Sequence, residues 1–283
     1  MTTIKIAGVP EHFNLPWHLG IENGDFEAED INLEWTDVPE GTGKLNQMLR
    51  SGETDIAIIL TEGIIKDILG GNPSKIIQVY VESPLIWGIH VAAKSSYSSL
   101  ADLKNKKAAI SRIGSGSQLM AYVNAEQQGW DTQDLQFEIV NTIDGAVEAL
   151  TDGTAAYFMW EHFMTKPLVD KGIFRRIADC PSPWFSFVIA ATDIILKQNP
   201  EVISKILKVI THETQKFKTI PDIDKTLALR YNQKREDIAE WLSSTRWSQE
   251  PLTKKMVDDV QDQLLHFKII EKKGTFDTIA KSL

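Results

Sequence analysis

Short apolar runs of strand length alternate along this chain with segments of helical periodicity, each pair joined by a few residues containing Gly, Asn, Asp or Pro. That rhythm admits little besides parallel α/β structure. Strands are expected at Ile4 to Val9, Ile31 to Asp37, Asp55 to Leu60 and Ile76 to Val81, with helices over Leu15 to Asn23, Lys44 to Arg50 and Glu62 to Leu69. After the strand-like Leu85 to Ala92 a second series runs: strand Lys107 to Arg112, helix Ser115 to Gln128, strand Leu135 to Val140, helix Asp144 to Thr151, strand Ala155 to Trp160, and strand Ile173 to Ile177. Leu49 to Ala57 and Leu150 to Tyr157 share a short helix that turns on Gly into a buried strand, which suggests two lobes built alike. Beyond Phe185 to Ala191 the pattern is wholly helical, with Asn199 and Pro200 opening an amphipathic stripe of Ile203, Ile206, Leu207, Ile210 and Phe217.

Length agrees with two lobes, since 283 residues are enough for two domains that each bury a core. Thirty Lys and Arg against 39 Asp and Glu leave a formal charge of −9, which opposes nucleic acid or an anionic membrane surface as partner. No run approaches the roughly 18 apolar residues of a membrane helix. The single cysteine, Cys180, excludes an internal disulfide and any multi-cysteine metal site. Met1 leads directly into the first strand without a basic, apolar and small-residue leader. A native start at Met1 implies a cytoplasmic protein; a removed leader implies a periplasmic or exported one.

Val9-Pro10-Glu11-His12-Phe13, Arg50-Ser51-Gly52-Glu53-Thr54-Asp55-Ile56-Ala57, Leu100-Ala101-Asp102-Leu103-Lys104-Asn105-Lys106-Lys107, Ser111-Arg112-Ile113-Gly114-Ser115-Gly116-Ser117 and the tail from Asn199-Pro200 together resemble the type II solute-binding proteins. The resemblance is to the nitrate, sulfonate and thiamine-precursor branch, and within it to the group that includes an intracellular Candida protein. It implies a two-lobed type II fold, each lobe a mixed, mainly parallel sheet flanked by helices, with a helical C-terminal tail. Residues 1–88 with 193–283 would form one lobe and 89–192 the other, joined by a double-strand hinge near 85–92 and 185–192. The implied activity is closure around a small ligand without catalysis or cofactor. The implied partners are that ligand and, for an exported protein, an ABC-type permease, with the protein itself a monomer.

Parallel α/β lobes bind ligands at the carboxyl ends of strands, where helix N-termini present free N–H groups. In the second lobe Arg112 precedes Gly114-Ser115-Gly116-Ser117, two glycines and two hydroxyls beside a helix start, an anion cradle in physical terms. It lacks the spacing of a Walker or Rossmann loop. In the first lobe the corresponding loops carry Glu11, His12 and Phe13, then Thr42 and Gly43, then Thr61 and Glu62. Glu161 and His162 form a second Glu-His pair, suited to hydrogen-bonding a polar ligand and lacking metal-ligand spacing. Trp17, Trp87, Trp160 and Trp184 are candidates for aromatic walls around a partly planar, anionic or zwitterionic ligand; each of these loops and rings can equally be turn chemistry or core. An enzyme on the same scaffold, of the menaquinone-pathway or pyrimidine-precursor-synthase kind, is the alternative. The synthase's cysteine-rich motif is absent here. A transcription regulator's ligand-sensing half is opposed by the acidic charge and by the lack of a DNA-binding helix pair.

Overall fold

The apolar alternation at the N-terminus forms β1 (Thr2–Gly8), whose Ile4, Ile6 and Ala7 are fully buried. In the computed structural model, which describes residues 1–283, the chain divides into two units, Met1–Ser83 with Trp184–Leu283 and Pro84–Pro183. The first unit continues with α1 (Leu15–Glu22), β2 (Ile31–Asp37), α2 (Thr42–Ser51), β3 (Ile56–Leu60), α3 (Thr61–Leu69) and β4 (Ser74–Val81). β1 pairs in parallel with β2 and β3. The uninterrupted Ile-Ala-Ile-Ile of β3 is buried throughout, as a strand covered on both faces must be. Gly52 ends α2 with φ of 72°, a left-handed cap that few other residues adopt without strain.

The second unit holds β5 (Ile86–Ala92), β6 (Ala108–Ile110), α4 (Gly116–Gln127), β7 (Phe137–Ile139), α5 (Ile143–Asp152), β8 (Tyr157–Glu161), α6 (Lys166–Asp170) and β9 (Phe174–Pro181). Ala146, Ala149 and Leu150 of α5 pack with Ala109, Phe158 and Phe174 into one buried cluster. The chain then returns to the first unit as β10 (Phe187–Thr192), α7 (Asp193–Gln198), α8 (Pro200–Phe217), α9 (Ile223–Arg230), α10 (Arg235–Ser244), α11 (Lys254–His266) and α12 (Phe276–Ile279). α8 buries Ile203, Ile206, Ile210 and Phe217 and lies on α1.

The two sheets repeat one plan. Their orders are β2-β1-β3-β10-β4 and β7-β6-β8-β5-β9, each with one antiparallel strand in fourth place. The other four strands of each sheet run the same way, so the sheets are mixed and mainly parallel.

The expected boundaries at 88/89 and 192/193 differ from the observed ones at 83/84 and 183/184. β5 and β10 are not linkers between sheets but inner strands, β10 between β3 and β4 and β5 between β8 and β9. An apolar run shows that a strand is buried but not which sheet buries it, because pairing partners are distant in sequence. The short helices α6, α7, α9 and α12 were not expected, being too short to show a periodic stripe. The expected strand to Arg112 stops at Ile110, leaving Ser111 and Arg112 free to turn.

Candidate functional site

In the second unit the chain leaves β6 through Ser111 and Arg112, turns at Gly114 with φ of 77°, and enters α4. Ser115 is the N-cap: its hydroxyl accepts from Gln118 N at 3.3 Å and lies 3.0 Å from the Ser117 hydroxyl, which accepts from Ser111 N at 3.0 Å. Both serines are buried. Their hydroxyls therefore hold the loop's shape, and the bond from Gly114 N to Gln118 Oε1 at 2.6 Å tightens the same turn. Arg112 is the exception in this loop. It is half-buried with no carboxylate partner, and desolvation alone acts on its guanidinium, lowering its pKa.

At the end of β8, Glu161 Oε2 accepts from Met164 N at 2.6 Å. His162 Nδ1 lies 2.9 Å from Asp179 Oδ1, on β9, and Arg176 Nε is 3.7 Å from the same oxygen. Behind them His90 is fully buried with Nε2 at 2.9 Å from Thr165 Oγ1. Burial and the Arg176 charge push its pKa down to about 4, which keeps it neutral at physiological pH. Trp160 stacks on Phe158 with ring centroids at 5.4 Å and meets Trp87 edge-on at 6.4 Å. Asp179, Arg176 and His90 were not anticipated, since 17 residues and a whole strand separate Asp179 from His162 in the pairing.

In the first unit the carboxyl ends of β1 and β3 carry Glu11 and Glu62. Glu62 is buried, accepts from Trp184 Nε1 at 2.9 Å, and is pushed up to about 7 by desolvation. Glu11 is also raised to about 7 by desolvation. Trp184 packs edge-on against Phe267 at 6.2 Å. Thr42 and Gly43 start α2 beside α3, and a Cβ on Gly63 of α3 would run into Thr42 Cγ2. Gly63→Ala is thus expected to cost about 1–3 kcal/mol by overpacking. In a Thr42→Ser background, where the methyl is gone, the same change is expected to be neutral or to stabilise by up to about 1 kcal/mol through helix propensity. Urea unfolding of the four proteins checks the change of sign.

Several expected ligand contacts are packing residues instead. His12 is fully buried between Tyr231 and Trp241, with centroids at 4.7 and 5.0 Å, and its burial lowers its pKa to about 4. The Phe13 carbonyl accepts from Tyr80 Oη at 2.6 Å and Trp247 Nε1 at 3.2 Å, and its ring packs on Phe187 and Trp241. Thr61 donates its hydroxyl to Phe185 O at 2.7 Å. Trp17 is fully buried among Phe26, Trp35 and Tyr80, so it is core and not a wall. The periodicity that marks a buried aromatic is the same in both cases.

No cluster of three or more His, Cys, Asp or Glu side chains converges as a metal site, and no helix is long and apolar enough to cross a membrane. A shallow cavity of about 470 Å³ in the first unit, at the amino end of β3 and lined by Lys75, Asp193 and Lys197, touches none of the candidate residues.

A family model described as Ca3427-like PBP, a periplasmic-binding-protein family, matches residues 87–180. The Candida albicans CA3427 gene product, whose structure is described as defining a new family with the generic periplasmic binding protein fold, is 28% identical with a TM-score of 0.90, covering 100% of this chain and 97% of that one. The alkanesulfonate-binding protein SsuA from Xanthomonas axonopodis pv. citri, bound to MOPS, is 14% identical at TM-score 0.83, with coverage of 100% and 99%. The periplasmic aliphatic sulphonate binding protein SsuA from Escherichia coli is 16% identical at TM-score 0.77, covering 100% and 94%. These last two show the fold alone. No curated protein matches the chain significantly. The matched segment spans β5 to β9, the whole sheet that carries the Arg112 loop and the Glu161-His162 pair, and with the full-length likeness to the Candida protein it shows the type II periplasmic-binding-protein fold and a similarity to the Ca3427-like group.

Proposed function

We propose that the protein is a non-enzymatic solute-binding protein whose ligand is a small anionic or zwitterionic molecule held through its anionic group at the Arg112–Ser117 loop. The observation that carries this reading is Arg112 itself. A half-buried guanidinium without a carboxylate loses hydration and gains no internal partner, an arrangement that favours an external anion. The loop leads into the N-terminus of α4, whose partial positive charge favours an anion, and the sulfonate binders among the structural relatives make sulfonates the first probes. Trp160, partly exposed beside Trp87, suits an apolar or flat portion of the ligand.

Titration calorimetry with propane-1-sulfonate tests the reading. Arg112→Ala is expected to weaken binding by about 10- to 150-fold, the loss of charge-assisted hydrogen bonds worth roughly 1.5–3 kcal/mol. Melting should stay near that of the parent protein because Arg112 has no carboxylate partner in the fold. Unchanged affinity in the variant, or no binding of small sulfonates and carboxylates by the parent, would overturn the assignment.

A further inference from the structure

We infer that His162 recognises a hydrogen-bond donor, a hydroxyl or amine, on the anionic ligand, and that Asp179 is the positioning residue that decides which ring nitrogen meets it. The inference rests on the reading of the Arg112 loop as an anion site and adds to it the chemistry of the ligand's second polar group.

The placement follows from the sheet. β6 and β8 are parallel neighbours in the register Ala108 to Tyr157 and Ala109 to Phe158. The Arg112 loop and His162 follow the carboxyl ends of these two neighbouring strands, so both open at the same edge of the sheet. His162 N–H donates to Ile86 O at 2.9 Å, which keeps this residue in line with the sheet. Side chains alternate along β8, so His162 shares the face of Phe158 and Trp160 and must cross β5 to reach β9. The crossing is open because Gly88, the residue paired with Asp179, has no side chain; a Cβ there would meet the His90 ring and sit 3.0 Å from Arg176 Cδ.

The hydrogen bond then sets the tautomer. Asp179 is held ionised: burial acts to raise its pKa, but the His162 bond and the charges of His162 and Arg176 lower it overall. A carboxylate only accepts, so Nδ1 of His162 carries the proton, and in the neutral ring Nε2 is left as an acceptor. His162 as a residue is buried, with 6% of its surface exposed. Nε2 has no hydrogen bond within the protein and is not sealed from solvent, so a ligand that displaces water from it is best completed by a donor of its own. A plain alkyl anion would leave that acceptor desolvated and unpaired, at the cost of an unmade hydrogen bond.

Calorimetry at pH 8 comparing propane-1-sulfonate with 3-hydroxypropane-1-sulfonate reads the effect as a ratio, which a general loss of affinity does not move. The hydroxylated probe is expected to bind about tenfold more tightly to the parent protein, one net hydrogen bond's worth. In His162→Phe and in Asp179→Ala the ratio should fall to about one. The Asp179 side chain is 38% exposed, so its truncation leaves no sealed cavity and the second variant decides the matter if the first does not fold. Equal binding of the two probes by the parent, or a ratio that survives in Asp179→Ala, overturns the inference and leaves the anion site standing. If neither sulfonate binds, the anion reading falls and this inference with it.

Discussion

Trp17→Ala is expected to cost about 3–5 kcal/mol of stability, in line with removing a large aromatic side chain from a packed interior. The reason is its surroundings. The indole is fully buried, lies parallel to Phe26 at 5.9 Å, and is closed in by Tyr80 at 6.0 Å and Trp35 at 6.3 Å. Phe26 is itself almost completely buried, so deletion opens a void that rigid rings cannot refill. In protein that remains folded, affinity for propane-1-sulfonate should be unchanged. Urea unfolding followed by circular dichroism, together with calorimetry below the transition, separates the possibilities. A small loss of stability accompanied by tenfold weaker binding would restore Trp17 as part of a ligand wall.

Glu62→Gln is expected to do the opposite and stabilise the protein at alkaline pH. Glu62 titrates at about 7 in the folded protein because burial disfavours its charge, against about 4.3 in an unfolded chain. Between those values the native state keeps a proton that the unfolded state has released, so stability falls as pH rises through the window and stays lower above it. The full difference amounts to roughly 3.5 kcal/mol. Gln is neutral at every pH and its carbonyl can still accept from Trp184 Nε1, so the variant should match the parent near pH 4.5 and exceed it by up to about 3.5 kcal/mol at pH 8. Glu11 adds a second titration of the same sign, so the variant keeps part of the parent's slope. A stability difference that does not grow between pH 4.5 and pH 8 would sink the assignment of Glu62 as an uncompensated buried carboxyl.

Local chemistry made much of this protein readable from its residues. β2 falls on Ile31–Asp37 as expected, and α2 and α3 lie within about two residues of their expected limits. Gly52 and Gly153 end helices with φ of 72° and 82°, and Pro200 opens α8, because a cap or a helix start depends on a few neighbouring residues. The Arg112–Ser117 loop was legible for the same reason: a strand end, two glycines and a helix start are all contiguous.

Other features depended on residues far apart in the chain. β10 and β5 had to find partners many tens of residues away or farther, and apolar character names no partner. Burial and exposure of an aromatic share one sequence signature, so only packing separated Trp17 in the core from Trp160 at a partly open face. The serine hydroxyls of the Arg112–Ser117 loop turned inward to Ser111 N and Gln118 N, a competition among nearby donors that only the folded backbone resolves. The sequence by itself determined the elements, their alternation and the loops at strand ends, since each is governed by interactions within a few residues. The tertiary structure alone decided that Arg112 has no carboxylate and that His162 has Asp179, because charge pairing is a matter of distance in space, and strand register sets that distance.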